Sequence, residues 1–355
     1  MSHRTTPLFG SAGNPENFYA DGYKNTVDVF AWLKRKGIDS YEYQAGNGLF
    51  TSSASLEKIR KAADENGITV TLHAPYFIST ASEDSEIVAK SYVNVDKCIK
   101  GAASLGANII VVHAGSCGKS DRRDAMERAK AFFCTASAGL DGSVSIGIET
   151  MGKENQLGTL DEVIEMCLAV PPASPREAGG TAGSTAGSTA GSTAGSTAGS
   201  TAGSTAGSTA GSTAGSTAGS TARSTAGSTA GSTAGSMNHK VLCPVVDFGH
   251  INARENGSLK DSGDYRRIFD RIAESLGDDA ARYLHCHFSK IEYTKKGEKK
   301  HLTFADTIYG PDFEPLMKVI AQDRLYPNII CESSDTRDTD ALAMKNYYNQ
   351  KGDFR

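Results

Sequence analysis

The chain is short of several things that would decide its class at once. Its seven cysteines are widely spaced and include no CxxC pair. That excludes a zinc-ribbon or thioredoxin-type motif and fits reduced thiols in the cytoplasm or nucleus. No apolar stretch approaches the ~20 residues of a membrane span. The opening MSHRTTPLFGSAG has no apolar core of the kind a secretory signal carries. No membrane role is therefore expected. Net charge is −4, which gives no global electrostatic footprint for nucleic acid and leaves room only for local basic clusters. Three such clusters are present, at 34–36, 122–123 and 295–300.

One region is poor in everything but four residue types. Residues 179–236 are a near-perfect GSTA repeat with a single arginine, Arg223. Gly, Ser, Thr and Ala bury too little apolar surface to offset chain entropy, so a disordered insertion is expected. A four-residue unit also has no apolar face to stack into a repeat fold. Without the tract roughly 297 of the 355 residues remain, the size of one (β/α)8 barrel. The expected organisation is residues 1–178 as the first part of the barrel with strands one to five, 179–236 as the insertion, and 237–355 as the second part.

What the chain does have is a series of short apolar runs, each ending in a polar residue. They finish TVTLHAP at His73, IIVVHAG at His113, SIGIET at Glu149, VVDFGH at Asp247 and His250, YLHCHFS at His285 and His287, and IICESS at Glu332. Runs of this length, rich in Val and Ile, read as buried parallel strands. Helical patterns alternate with them: 25–36, 53–66, 85–105, 121–138, 160–168, 264–276, 311–321 and 338–349. With short strands at 7–10 and 40–44, the alternation gives eight βα units and predicts a closed (β/α)8 TIM barrel of α/β class. In such a barrel the strand C-termini share one face, where active sites lie. The repeat falls between the fifth helix and the sixth strand, on the opposite face.

Imidazoles and carboxylates gathered without paired cysteines are a catalytic metal-ligand set. Glu149, Asp247, one histidine of strand seven and Glu332 make a mostly oxygen site that suits one Mn2+ or Mg2+. His73, His113, His250 and His301 add nitrogen, which points to a second metal and to zinc. Cations held this way acidify water and neutralise the charge of a phosphodiester during in-line attack. His285 and His287 are two apart, so both face inward; one is expected as a ligand and the other behind it. His301 lies in what reads as a loop, directly after the basic segment 290–300 (KIEYTKKGEKK). His3 and His239 sit in terminal or linker context and are given no role.

These motifs resemble the endonuclease IV family of apurinic/apyrimidinic DNA-repair nucleases, among the xylose-isomerase-like barrels. The resemblance covers nearly everything outside the repeat. It rests on His73-Ala-Pro-Tyr76, on His113 and Glu149, on Asp247-Phe-Gly-His250, and on Glu332. A Ser-Lys pair after strand seven aligns the family histidine with His285 rather than His287. The resemblance implies a zinc-dependent endonuclease, a monomer, that hydrolyses DNA on the 5′ side of abasic sites in base excision repair. It implies up to three zincs. His73, His113 and Glu149 would hold one. Glu149, Asp247, His285 and Glu332 would hold the second, with the catalytic Glu149 bridging. His250 and His301 would hold the third with an aspartate two residues before His301. That position is Lys299, and Glu298 takes the aspartate's place only if the loop shifts. Tyr76 occupies the position of an aromatic that enters the DNA. Gln44 and Asn47 lie in a Gly-rich loop that lacks the family's arginine, and His287-Phe288 replaces an Asn-Asp pair. The alternative on the same barrel is a one-metal sugar isomerase or epimerase, whose tetrad Glu149, Asp247, His285 and Glu332 would resemble.

Overall fold

The computed structural model describes residues 4–169 and 241–351. The insertion expected at 179–236, like His3 and His239, lies outside the described residues.

The strands form where the apolar runs predict. In chain order the elements are β1 (Leu8–Ala12), α1 (Glu16–Ala20), α2 (Thr26–Lys36), β2 (Ser40–Gln44), α3 (Ser53–Asn66), β3 (Thr69–His73), α4 (Ser85–Leu105), β4 (Ile109–His113), α5 (Arg122–Ser137), β5 (Ser145–Glu149) and α6 (Leu160–Leu168). Then come β6 (Leu242–Asp247), α7 (Phe248–Arg254), α8 (Ser262–Leu276), α9 (Asp278–Arg282), β7 (His285–Phe288), β8 (Lys290–Thr294), β9 (Gly297–Leu302), α10 (Phe313–Gln322), β10 (Asn328–Cys331) and α11 (Arg337–Lys351). Eight parallel strands close a barrel in the order β1-β10-β7-β6-β5-β4-β3-β2. This is the predicted TIM barrel.

Local chemistry sets the helix ends. Ser52 Oγ accepts from the Ser55 amide to start α3, and Gly67 ends it in the left-handed conformation. Thr159 and Glu162 form a reciprocal capping box at α6, and one good cap stabilises by about 1 kcal/mol. Ile110, Ile146, Ile148, Val246 and Ile329 are wholly buried on the strands, and Phe132, Phe133, Val163 and Ile272 meet them from the helices. Each such side chain contributes roughly 1.5–3 kcal/mol by leaving water.

The structure differs from the sequence reading in one architectural respect. The segment expected as a basic loop is an antiparallel hairpin, β8 paired with β9. His301 is therefore on a strand. The pairing is irregular: Glu292 faces Lys300, but Tyr293 faces Glu298, so Lys299 is an extra residue in a bulge. Three short helices, α1, α7 and α9, were also not anticipated. They are five to seven residues long, too short to leave a helical period in the sequence.

Candidate metal centre at the barrel mouth

Barrel register brings the strand ends to one level. His113 pairs with Glu149, His73 lies beside Val111 on the next strand, and Asp247 pairs with His287. Four groups of ligand-type side chains result, each with its donor atoms within 4.8 Å of one another: His73, His113 and Glu149; Glu149, Asp247, His287 and Glu332; His250, Glu298 and His301; and Glu42, His73, His287 and Glu332.

Glu149 joins the first two groups. Its Oε2 lies 3.4 Å from both His73 Nε2 and His113 Nε2. Its Oε1 lies 3.0 Å from His287 Nδ1. One carboxylate thus presents its two oxygens to two different sets of ligands. His250 stands between the second and third groups, with Nδ1 3.2 Å from Asp247 Oδ2 and Nε2 3.5 Å from Glu298 Oε2.

The strand-seven assignment needs correction. His285 is in neither four-residue group; His287 is in both. The register explains it, because His285 pairs with Val245, one inward-facing layer below Asp247. The Ser-Lys pair that aligned His285 with the family histidine marks a position two residues too early in this barrel.

Lys299 does not approach the third group, and Glu298 does. In an unbroken strand, residues 299 and 301 would share a face and 298 would point away. The bulge reverses that parity. Glu298 comes round to His250 and His301, with Oε1 3.9 Å from His301 Nε2. Lys299 turns outward to Glu292 Oε1 at 2.5 Å. The loop after β5 holds this placement, since the Glu298 amide donates to the Gly152 carbonyl at 3.0 Å. Arg254, four residues after His250 on the same short helix, grips that loop through the Met151 and Gln156 carbonyls, each at 3.0 Å. A side chain at Gly152 would put Cβ 2.7 Å from Glu298 Cβ, so only glycine leaves room for the carboxylate.

One residue of the centre was missed in the sequence. Glu42, on β2, is wholly buried beneath the mouth and shares a ligand-type group with His73, His287 and Glu332. Its signal was the period-two pattern Ser40, Glu42, Gln44, which puts an acid inside the barrel. In isolation SYEYQ looks like a strand with Glu facing water.

The electrostatics are those of a cluster awaiting cations. Every ion pair made by Glu42, Glu149, Asp247, Glu298 and Glu332 among the described residues is to a histidine, never to Lys or Arg. Burial raises the carboxyls of Glu149 and Glu42, but the imidazoles beside them, His287 foremost, outweigh it and hold both well below the usual range. Burial pushes His113 down to about 4. Burial also opposes charge on His73 and His250, yet Glu149 lifts the first, and Asp247 with Glu149 the second, to about 9. Glu149 Oε2 and Asp247 Oδ2 are buried without any hydrogen-bond donor. Orphaned anionic oxygens of this kind are costly unless a cation meets them. The donor set of nitrogen and carboxylate oxygen, with no thiolate, fits zinc or manganese.

At the rim, Phe50 after β2 is 84% exposed, Tyr76 after β3 is 63% exposed and Ile308 after the hairpin is 82% exposed. The Tyr76 hydroxyl reaches Asn47 Oδ1 at 3.4 Å, and Gln44 Nε2 donates to Glu42 Oε1 at 3.2 Å.

Residues 30–176 match the family model described as xylose isomerase-like TIM barrel, over a stretch that runs from α2 to beyond α6. The match covers the first part of the chain, and the closed eight-stranded architecture makes the fold a TIM barrel. Over 138 residues it is 32% identical to a probable endonuclease 4 of Thermoplasma acidophilum, spanning 37% of this chain and 47% of that protein. An uncharacterized protein of Methanocaldococcus jannaschii is 22% identical across 99% of this chain and all of its own length. Among solved structures, endonuclease IV of Thermus thermophilus superposes with a TM-score of 0.60 at 14% identity, over 97% of this chain and 100% of its own. A D-tagatose 3-epimerase-like protein superposes with a TM-score of 0.58 at 13% identity, over 98% of each. At such identities the two structures establish the barrel and do not choose between chemistries.

Proposed function

We propose that this barrel is a metal-dependent phosphodiesterase of the endonuclease IV type. It would cut DNA on the 5′ side of an abasic nucleotide and leave a 3′-hydroxyl, as a step of base excision repair. The observation that carries the reading is Glu149, whose two oxygens face two separate ligand groups, with the His250–Glu298–His301 group alongside. One catalytic carboxylate that bridges two groups, with a third next to it, is far more than a one-metal sugar enzyme needs.

Zinc ions held by these groups, two or three in number, would neutralise the phosphodiester and acidify the attacking water. The chain's own residues do the rest. Glu149 fixes the spacing of the two strand-borne groups. His73 and His250 donate their Nδ1 protons to the Ala74 and Thr150 carbonyls, at 2.8 and 3.0 Å, so that each Nε2, beside Glu149 and Glu298 respectively, would be the nitrogen to hold a cation once its proton is displaced. Tyr76 and Phe50 offer exposed rings on which bases of an opened duplex could stack, worth about 1–3 kcal/mol each. Gln44 and Asn47 line the same rim as DNA contacts, and Lys295 and Lys296 at the hairpin turn suit phosphates. Among the described residues no helix is long and apolar enough to cross a membrane, and all seven cysteines are free. We take the protein to be a monomer that acts in the cytoplasm or nucleus, where free thiols persist. Deletion of the GSTA tract, residues 179–236, is expected to leave metal content and turnover unchanged.

A second reading has one observation in its favour. Glu149, Asp247, His287 and Glu332 alone are a complete ligand set for a single Mn2+, as a ketose isomerase or epimerase would use it. Elemental analysis of the purified protein and an incision assay on an abasic-site duplex separate the two. Two or three zincs and a nick 5′ of the lesion are expected. One manganese, no nick and turnover of a keto sugar would overturn the nuclease.

A further inference from the structure

We propose that Glu42 is a positioning residue for the metal centre: through Nε2 of His287 it turns the Nδ1 lone pair of that imidazole toward Glu149, Asp247 and Glu332. The inference rests on the metal-centre reading above and gives a task to Glu42, which lies outside the groups that Glu149 bridges although it neighbours His73, His287 and Glu332.

A neutral imidazole serves a cation with one nitrogen only. The other carries a proton and needs an acceptor, and that acceptor fixes the ring's tautomer and tilt. His73 meets this need with the Ala74 carbonyl and His250 with the Thr150 carbonyl. His301 Nδ1 pairs with Ser289 Oγ at 2.8 Å. In His73 Nδ1 is the outer nitrogen and Nε2 faces Glu149; in His250 and His301 Nε2 faces Glu298, while Nδ1 also lies 3.2 Å from Asp247 Oδ2 and 3.9 Å from Glu332 Oε2 respectively. His287 is inverted. Its Nδ1 lies 3.0 Å from Glu149 Oε1 and 3.5 Å from Glu332 Oε1, and its Nε2 faces Glu42 Oε1 at 3.1 Å. The ring is wholly buried; its Nε2 makes no hydrogen bond of good geometry, and its ion-pair contact is with Glu42 Oε1 at 3.1 Å. The carboxylate is the acceptor in reach.

Glu42 is itself held rigidly. Oε2 accepts from Thr71 Oγ1 at 3.0 Å and from His285 Nε2 at 2.8 Å. Oε1 accepts from Gln44 Nε2 at 3.2 Å. Asn328 Nδ2 reaches His285 Nδ1 at 3.2 Å, which leaves the His285 proton on Nε2, directed at Glu42. A relay of fixed groups thus rises from the barrel floor: Asn328, His285, Glu42, His287. It explains why an HCH sequence is used on β7. The upper histidine is the ligand, and the lower one anchors the acid that orients it. An ionised acceptor also makes the ring a stronger ligand than a carbonyl would.

The test is metal retention, measured on the full chain loaded with Co2+. The quantities are the visible ligand-field bands and the rate of metal loss to a chelator. Glu42→Gln puts an amide donor where a second acceptor stood, so it cannot accept from all its neighbours. It is expected to lose metal tenfold to a hundredfold faster from the Glu149–Asp247–His287–Glu332 group, the usual scale for such a partner, with shifted bands. Glu42→Asp, which keeps the charge, should restore part of the retention. In a His287→Gln background the Glu42→Gln change should add nothing, because the partner it acts through is gone. Unchanged bands and retention in Glu42→Gln, or effects of the two substitutions that simply multiply, would overturn the role. A wild-type chain that takes up no divalent ion would overturn the metal centre itself.

Discussion

The two sides of the mouth are built on different principles. On one side His73, His113, Glu149, Asp247 and His287 stand on barrel strands, and Glu332 follows the last residue of another. Closure and register fix their heights, and each strand is held by two neighbours. On the other side, Glu298 and His301 stand on a two-stranded hairpin outside the barrel, and His250 on a seven-residue helix. There a single bulged residue decides which side chain points inward. The strand-borne groups are a property of the fold, whereas the hairpin group belongs to one local irregularity and the loop clamped against it. A ligand on a peripheral hairpin can move by one residue along the chain and still be presented, provided the strand parity moves with it. That is how Glu298 stands beside His301 when Lys299 occupies the place where an aspartate is expected.

Substitutions on the two sides should separate them. The largest effect is expected from Glu149→Gln, which removes the carboxylate shared by both strand-borne groups. Turnover should fall by about a thousandfold and both strand-borne metals should be lost, with the circular dichroism spectrum unchanged. Normal turnover in that variant would end the bridging assignment. Glu298→Ala should remove one metal equivalent and leave the other two, with turnover reduced on the order of tenfold to a hundredfold. If it emptied the strand-borne groups as well, the two sides would not be independent. Gly152→Ala should act in the same direction more weakly, because the new Cβ pushes on Glu298, 2.7 Å away, without removing it. Metal content that is insensitive to this change would show that the loop does not set the position of Glu298.

The smallest effect is on the metal-free protein. His73 and His250 are raised to about 9 by their carboxylates, above the ~6.5 of an unfolded chain. A raised folded-state value gives stability that is fully present below about 6.5 and is lost as pH rises through about 9. Thermal melting of the apo chain should therefore drop across that window. Metal affinity should rise across it, because the cation displaces the same protons. Melting that is flat from pH 6 to 9 would mean that the clustered acids are not balanced by these imidazoles.

Much of this centre was readable because the strand ends carry unusual residues. A histidine or acid closing a Val/Ile run is out of place in a buried strand unless it has a partner. His73, His113, Glu149, Asp247 and Glu332 each stood out for that reason, and the structure brings all five to one mouth. The choice between His285 and His287 was not readable. Both lie on the inward face, and which one reaches the mouth depends on the register of β7 against β6. Glu42 was hidden for a related reason. Its strand, SYEYQ, has no apolar run to make the acid look misplaced, and only the closed barrel shows that the face carrying Ser40 and Glu42 is the interior.

The order of apolar runs and helical stretches by itself determined the eight-unit barrel, because period and connection length depend on neighbours along the chain. It also determined which end would carry the polar residues, since each run closes with one. Tertiary structure alone decided that His287 stands level with Asp247, that Glu42 lies beneath it, and that Glu298 rather than Lys299 turns toward His301. Each of these depends on how one strand is offset against another. A shift of one residue sends a side chain to the opposite face of its strand, and strand offset is fixed by packing between segments far apart in the chain.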